Sequence, residues 1–119
     1  MKLFPPCAFI ASVICLLAGA AHAQDAATIF DCAKEGQGLK SEVSDQSTHV
    51  RFVNDNPEAR TIYWLNFDGY RVFYMRLEPG QAYDQQTYVS HPWVITADNL
   101  GTCTMGIMPS PQTTIAHLR

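Results

Sequence analysis

Residues 60–77 contain the feature that most restricts the fold: two strand-like runs that meet at an Asp-Gly turn. The run RTIYWLNF is rich in β-branched and aromatic residues, which favour strands. Asp68-Gly69 follows it, and YRVFYMRL is the returning run. Glycine adopts a positive φ at little cost, so an Asp-Gly pair between two such runs is a strong hairpin signal. The pattern predicts an antiparallel hairpin at the centre of the chain.

Similar short runs with turn residues between them occupy most of the remaining chain. Val50, Phe52 and Asn54 alternate within THVRFVN, which predicts that they share one face of a strand. Pro57 ends that run, because a proline forces the preceding residue out of the helical region. The predicted strands cover residues 48–54, 60–67, 70–77, 83–90, 92–97, 102–108 and 113–118. About seven short strands with regular turns indicate an all-β sandwich, preceded by a short helical or irregular segment at residues 25–36.

The N-terminal residues 1–23 have the features of a secretory signal peptide. Lys2 provides a positive start, residues 7–20 form an apolar run, and an Ala-His-Ala cleavage site ends at Ala23. The apolar run is shorter than the roughly 20 residues that span a bilayer. We therefore expect the mature protein to be secreted or periplasmic. The predicted segments are a signal peptide at 1–23, a lead-in at 24–38 and a sandwich domain at 39–119.

The cysteines predict one disulfide. Cys7 and Cys15 lie in the signal peptide, so export leaves Cys32 and Cys103. Two cysteines that remain in an oxidising compartment commonly pair. The bridge would close most of the mature chain into one loop, which stabilises a small domain by about 4 kcal/mol in the chain-entropy model. Two buried free thiols are the alternative.

The charge pattern argues against two classes of partner. The chain has 8 Lys and Arg against 11 Asp and Glu, for a net charge of -3 at pH 7. These charges are interspersed, and no basic stripe marks a nucleic-acid surface. No basic amphipathic helix marks a membrane surface. We therefore expect neither nucleic acid nor membrane as a partner.

Catalytic and metal-binding patterns are weak. The sequence has no glycine-rich elbow, no paired zinc motif and no convincingly placed carboxylate pair, so we expect neither an enzyme nor a cofactor. Met105, Met108, Met75 and His91 could offer soft metal ligands. Methionine is more often a filler of hydrophobic cores, and we expect no metal site. A hydrolase and a metal-handling protein remain the lesser alternatives.

Four motifs resemble the β domain of the von Hippel-Lindau tumour suppressor family. They are WLNFDG at 64–69, Y-x-x-L-x-P-G at 74–80, T-Y-x-x-H-x-W at 87–93 and F-x-N-x-x-P at 52–57. The resemblance runs from about residue 39 to about Pro109, and it needs no gap between Trp64 and Trp93. It implies a seven-stranded β sandwich.

The resemblance also implies a ligand. The family's β domain binds a peptide that carries 4-hydroxyproline, with aromatic rings around the pyrrolidine and a serine and a histidine on its hydroxyl. By motif position, the wall residues here are Trp64, Tyr74 and Trp93, and the hydroxyl partners are Thr87 and His91. The threonine keeps the serine's hydroxyl and adds a methyl group. Physically, indole and phenol rings suit a rigid apolar ring, and a hydroxyl and an imidazole supply a donor and an acceptor.

Two departures from the family limit what the resemblance implies. The family's asparagine and arginine that help to hold the peptide correspond to Val43 and Asp45. The tumour suppressor also has an α domain that recruits elongin C, and no helical segment here matches it, so we expect no elongin-type partner. We therefore expect an exported module that binds hydroxyproline-containing peptides. A structural sandwich without a ligand is the main alternative.

Alternation along the central hairpin predicts the roles of its other side chains. It places Leu65 and Phe67 on a buried face and Trp64 on the opposite face, among polar neighbours. An exposed indole without a task is unusual, which favours a binding role for Trp64. We predict Phe52, Phe67 and Phe73 as core residues, Asn66 and Asp68 as turn residues, and Tyr88 as either structural or ligand-binding.

Overall fold

The computed structural model of the protein describes residues 28–97 and 99–119. The expected signal peptide, its cleavage site and residues 24–27 lie outside the described residues. The described strands are β1 (Thr28–Phe30), β2 (Ser47–Val53), β3 (Arg60–Leu65), β4 (Arg71–Leu77), β5 (Ala82–Tyr88), β6 (Trp93–Thr96), β7 (Cys103–Met108) and β8 (Thr114–His117). A short 3-10 helix covers Cys32–Lys34.

These strands form two sheets, which confirms the predicted all-β sandwich. One sheet has five strands in the order β1-β7-β6-β3-β4, and the other has three in the order β5-β2-β8. Neighbouring strands are antiparallel except for β2 and β8, which are parallel. The seven predicted strands are all present. β1 is an eighth, in a segment expected to be helical or irregular, and its three residues are too few to show a strand period.

The main core lies between the two sheets. Phe52, Ile62, Trp93 and Ile107 are among its fully buried side chains. As predicted, Val50, Phe52 and Asn54 all point into the protein from β2. Asn54 is buried because its amide nitrogen donates to two backbone carbonyls, at 3.0 Å each, which offsets the cost of removing the amide from water.

A second cluster covers the outer face of the five-stranded sheet. Phe30, Leu65 and Val94 are buried there. The ring of Phe30 occupies the space that a Cβ on Gly106 would need, so glycine permits this close approach of β1 to β7. Because both faces of this sheet are covered, β6 is buried along its whole length rather than at alternate residues.

The prediction that Phe67 and Phe73 are core residues is wrong. Phe67 is 48% exposed and Phe73 is 62% exposed, whereas Phe52 is fully buried as predicted. Phe67 follows the end of β3 and lies in the turn, where strand alternation no longer applies. The assignment of Trp64 to a polar face is also wrong, because Trp64 packs against the main core and Leu65 faces the second cluster.

A β-bulge in the hairpin explains the position of Phe73. Ile62 pairs with Met75, but Tyr63 pairs with Phe73, so Tyr74 has no partner on β3. An extra residue shifts the following side chains to the other face of the sheet. Phe73 therefore packs edge-on against Tyr63, with ring centroids 6.2 Å apart, and Tyr74 is free to turn toward the core. The bulge determines which of the two neighbouring rings faces inward.

The predicted disulfide between Cys32 and Cys103 is present, across a sequence separation of 71. A second irregularity, between β6 and β7, pairs Ile95 with Met105 but Thr96 with Cys103. This shift places Cys103 in the second cluster, on the outer face, where it meets the 3-10 helix that carries Cys32. The disulfide thus holds the N-terminal segment against the five-stranded sheet.

An ion pair strengthens the same attachment. The guanidinium of Arg71 binds both carboxylate oxygens of Glu35, at 2.6 and 2.7 Å. It also donates to the carbonyl of Gly101 at 2.8 Å and lies 5.5 Å from the ring centre of Tyr63. The hydrogen bond to Glu35 raises the pKa of Arg71 above its usual value, against the opposing effect of burial. Both groups are largely shielded from water.

Candidate functional site

The five residues predicted to bind ligand line one cavity of about 330 Å³. They come from both sheets, because β5 carries Thr87 whereas β3, β4 and β6 carry the three wall residues. The lining residues are Trp64, Phe67, Tyr74, Gln85, Gln86, Thr87, Tyr88, His91 and Trp93. The cavity lining therefore includes β4 and β5, which are edge strands of the two different sheets.

Three aromatic rings form a continuous wall. The ring centroids of Tyr74 and Trp93 are 4.7 Å apart and their planes are nearly perpendicular, and Trp64 lies 6.4 Å from Tyr74 in a similar arrangement. Trp93 is almost completely buried and also contacts Phe52 of the main core. Edge-to-face contacts of this kind favour one relative orientation of the rings. Trp93 thus anchors the wall in the packed interior, whereas Tyr74 is 37% exposed, and the contacts between the rings shape the wall before a ligand arrives.

Thr87 provides a buried hydroxyl beside this wall. The indole nitrogen of Trp93 donates to the Oγ1 of Thr87 at 3.1 Å. A hydroxyl accepts with its lone pairs and donates with its proton. Within the described residues, the proton of this hydroxyl has no acceptor. Thr87 can therefore donate a hydrogen bond to a molecule in the cavity while it accepts one from Trp93.

His91 is held by rings and by one hydrogen bond. Its ring lies 5.7 Å from Trp64, 5.4 Å from Phe67 and 5.3 Å from Tyr88, measured between centroids. Its Nε2 lies 3.0 Å from the backbone carbonyl oxygen of Glu42. The residue is buried. These contacts leave the imidazole little freedom to rotate.

The turn that presents His91 has an uncommon backbone conformation. Ser90 has a φ of 70°, in the left-handed region, where a residue with a Cβ is disfavoured. The backbone nitrogen of His91 donates to the carbonyl of Tyr88 at 3.2 Å and closes the turn. Strained backbone of this kind is concentrated at functional sites. Here it lies in the turn that joins Thr87 and Tyr88 at the end of β5 to His91.

Comparison with known sequences shows the family. A model of the VHL beta domain matches residues 39–101, which is more than half of the 119 residues. The chain belongs to the VHL beta domain family. In VHL itself, this domain binds hydroxyproline peptides. No curated protein sequence matches the chain.

The family match covers the whole candidate site but not the whole fold. All nine residues that line the cavity lie within 39–101. The strands β1, β7 and β8 and the disulfide partner Cys32 lie outside this range. The VHL beta domain match and the five-residue prediction therefore concern the same half of the sandwich.

Four residues line the cavity in addition to the five that the sequence predicts: Phe67, Gln85, Gln86 and Tyr88. The sequence predicts Phe67 as a core residue and gives Tyr88 either a structural or a ligand-binding role. Gln85 has the same strand parity as Thr87, so period-2 alternation on β5 was a usable signal. Gln86 has the opposite parity, and its amide nitrogen donates to the Oγ of Ser47. No pattern in the sequence marks Gln86.

Asn66 has the turn role that the sequence predicts. Its side-chain oxygen accepts from the backbone nitrogens of Asp68 and Tyr70, at 2.9 Å each. Such a side chain replaces backbone partners in a tight turn. It thereby fixes the loop that carries Phe67 to the cavity.

Trp64 has an unsatisfied donor at the cavity wall. Its indole nitrogen is buried and has no hydrogen-bond partner among residues 28–97 and 99–119. A buried donor without a partner costs about 1–3 kcal/mol, and such groups occur at sites with a role beyond packing. The indole therefore carries an energetic cost in the unliganded site.

The metal-handling alternative gains no geometric support. Met105 is buried in the main core and Met108 packs against the second cluster, so they lie on opposite faces of β7. In the described part of the chain, no three His, Cys, Asp or Glu side chains are grouped to hold a metal ion.

The described residues also contain no helix with the length and apolar character needed to cross a membrane.

A larger cavity of about 410 Å³ lies elsewhere, beside β1, β7 and β8. Its lining is mainly aliphatic and includes Met105, Ile107, Ile115 and Leu118. It contains none of the predicted binding residues. Asp55, His117 and Arg119 also line it, so the smaller aromatic cavity is favoured as the VHL-type site because it contains all five residues that the family motifs predict.

Proposed function

We propose that this protein binds peptides that carry 4-hydroxyproline, with the pyrrolidine ring in the aromatic cavity. The observation that carries the proposal is the bond from Trp93 to Thr87, which joins a wall ring to a hydroxyl partner. Thr87 accepts in this bond, so its hydroxyl proton has no acceptor among the described residues. A ligand hydroxyl that accepts this proton satisfies the site.

The aromatic wall supports a proline-like ligand. A pyrrolidine ring is rigid, so it loses little conformational entropy on binding. It is also apolar, and the rings of Trp64, Tyr74 and Trp93 offer it apolar faces and edges. A volume of about 330 Å³ lies at the lower end of small-ligand sites. This size fits one residue of a peptide with the neighbouring residues at the surface.

The polar groups provide the expected discrimination between hydroxyproline and proline. Thr87 and His91 are both buried. A ligand without a hydroxyl would exclude water from them and offer no replacement. Leaving one such group unpaired costs about 1–3 kcal/mol, so we expect hydroxyproline to be preferred by roughly tenfold or more.

Calorimetric titration with a matched pair of peptides, proline against 4-hydroxyproline, tests the proposal. Tyr74→Ala should abolish the binding, because it removes one wall of the cavity. Phe73→Ala is the matched control: the neighbouring ring lies on the opposite face of β4 and is 62% exposed, so binding should persist. Equal affinity for both peptides, or no binding at millimolar concentration, would favour a structural sandwich without a ligand.

We further propose that the protein acts after export, in the periplasm or outside the cell. The support is the signal-like sequence at residues 1–23, together with a disulfide of the kind that oxidising compartments permit. Collagen-like and plant cell-wall proteins are the class of hydroxyproline-bearing partner available there. N-terminal sequencing of the exported protein should begin at Gln24.

A further inference from the structure

Residues 39–42, here called the strap, connect the two turns that carry site residues. The backbone nitrogen of Ser41 donates to the carbonyl of Asn66 at 3.1 Å, and its Oγ donates to the carbonyl of Leu65 at 2.6 Å. The backbone nitrogen of Glu42 donates to the carbonyl of Ser90 at 3.3 Å. Ser41 is buried. The strap is thus anchored to the chain beside Trp64 at one end and beside His91 at the other.

The same strap determines the hydrogen-bonding state of His91. The Glu42 carbonyl, which lies 3.0 Å from Nε2, can only accept a hydrogen bond, so Nε2 must carry a proton. In a neutral imidazole the other nitrogen, Nδ1, then has no proton and is an acceptor. No hydrogen bond to Nδ1 comes from the described residues. The ring therefore has one acceptor remaining for a ligand.

We propose that the strap is a positioning element that fixes the Nε2–H tautomer of His91, so that the site selects a ligand hydroxyl that donates. Ser41 anchors the strap next to Glu42 through its hydroxyl bond to the carbonyl of Leu65, and the hydroxyl of Ser90 donates to the Glu42 carbonyl itself at 3.4 Å. Thr87 donates to the ligand oxygen, and His91 accepts the ligand proton. The ligand-binding part of this inference depends on the proposed function, whereas the tautomer does not.

This division of roles predicts a specific ligand preference. A peptide with 4-fluoroproline presents a group of similar size that cannot donate a hydrogen bond. It should bind roughly fivefold or more weakly than the 4-hydroxyproline peptide, because Nδ1 is left unpaired. Hydroxyproline whose oxygen carries an alkyl or sugar group lacks the proton as well. The site should accordingly recognise the unmodified hydroxyl.

The test combines nitrogen NMR of the His91 ring with calorimetric titration. In alkaline buffer, the unliganded protein should show the Nε2–H tautomer of His91. Ser41→Ala should shift the His91 ring toward a mixture of tautomers. It should also reduce the ratio of the affinity for the hydroxyproline peptide to the affinity for the fluoroproline peptide. Ser41→Thr retains a hydroxyl and should preserve both. A general loss of structure would instead weaken all peptides equally.

Two results would overturn the inference. One is an Nδ1–H tautomer in the unliganded native protein, a measurement that needs no variant. The other is a Ser41→Ala protein that keeps both the native nitrogen NMR spectrum of His91 and the native ratio of affinities for the hydroxyproline and fluoroproline peptides. If the native protein fails to prefer hydroxyproline over proline, the proposed function fails, and the unliganded spectrum still decides the role of the strap.

Discussion

Thr87 shows how a single buried side chain combines a structural and a binding role. Its oxygen accepts the indole proton of Trp93, which satisfies a nitrogen that is nearly inaccessible to water. Its own proton remains for a ligand. Both roles depend on the same hydroxyl, so a valine at this position should remove both and a serine should keep both.

Thr87→Val should lower the preference for hydroxyproline roughly fivefold or more, and it should destabilise the protein by about 1–3 kcal/mol because Trp93 loses its acceptor. Thr87→Ser keeps the hydroxyl and should retain the preference. Peptide titration and urea denaturation measure the two effects. A valine variant with the native peptide ratio would show that this hydroxyl does not contact the ligand.

Phenylalanines at different depths provide a second test at the residue scale. Phe52 is fully buried, so Phe52→Ala should cost about 3–5 kcal/mol of unfolding free energy. Phe67 is half exposed, so Phe67→Ala should cost less than about 2 kcal/mol and should weaken peptide binding, since its ring lines the cavity. Urea denaturation of both variants decides this. Equal losses of stability would contradict the described burial.

At the scale of elements, the central hairpin depends on its turn and on its bulge. Asn66 fixes the turn, and the bulge at Tyr74 selects which aromatic ring enters the cavity. The turn also touches the strap, because a Cβ on Gly69 would lie 2.8 Å from the carbonyl oxygen of Leu39. The hairpin and the strap therefore constrain each other next to the candidate site.

Gly69→Ala should destabilise the protein more than Gly80→Ala. Both glycines have a positive φ, of 82° and 80°, so both substitutions carry a backbone cost of about 1–2 kcal/mol. Only at Gly69 does the new methyl group meet backbone, whereas Gly80 has open space around it. We expect a difference of about 1 kcal/mol or more, measured by urea denaturation. Equal destabilisation by the two substitutions would show that the strap moves away from the new methyl group at little cost in free energy.

At the scale of the whole molecule, the N-terminal segment completes the sandwich. It contributes β1 to the five-stranded sheet, Phe30 to the second cluster, and Glu35 to the ion pair with Arg71. The disulfide secures this segment from Cys32 to β7. A small domain buries a limited fraction of its surface, so a disulfide that closes a loop with a sequence separation of 71 contributes a large part of its stability.

Reduction of the disulfide should lower the melting temperature by roughly 10 °C or more, since the loop contributes about 4 kcal/mol. Thermal unfolding with and without reductant measures this. The double variant Cys32→Ser, Cys103→Ser is the control and should melt like the reduced protein, with no further response to reductant. An unchanged melting temperature after complete reduction would show that non-covalent contacts alone hold the segment.

The sequence by itself determined seven of the eight described strands, the central turn and the disulfide. Each depends on local chemistry: β-branched and aromatic runs, an Asp-Gly pair, and two cysteines that follow the predicted signal peptide. The five predicted binding residues also follow from sequence, through motifs whose order matches a known family. The structure places these five around one cavity.

The tertiary structure alone decided which faces those residues occupy. The sequence predicts Phe73 as a core residue, but the bulge turns it outward and brings Tyr74 to Trp93. β1 gains its place only from β7, and His91 gains its tautomer only from the carbonyl of Glu42. A one-residue register shift reverses every following side chain, and register is set by a partner strand that local sequence does not specify.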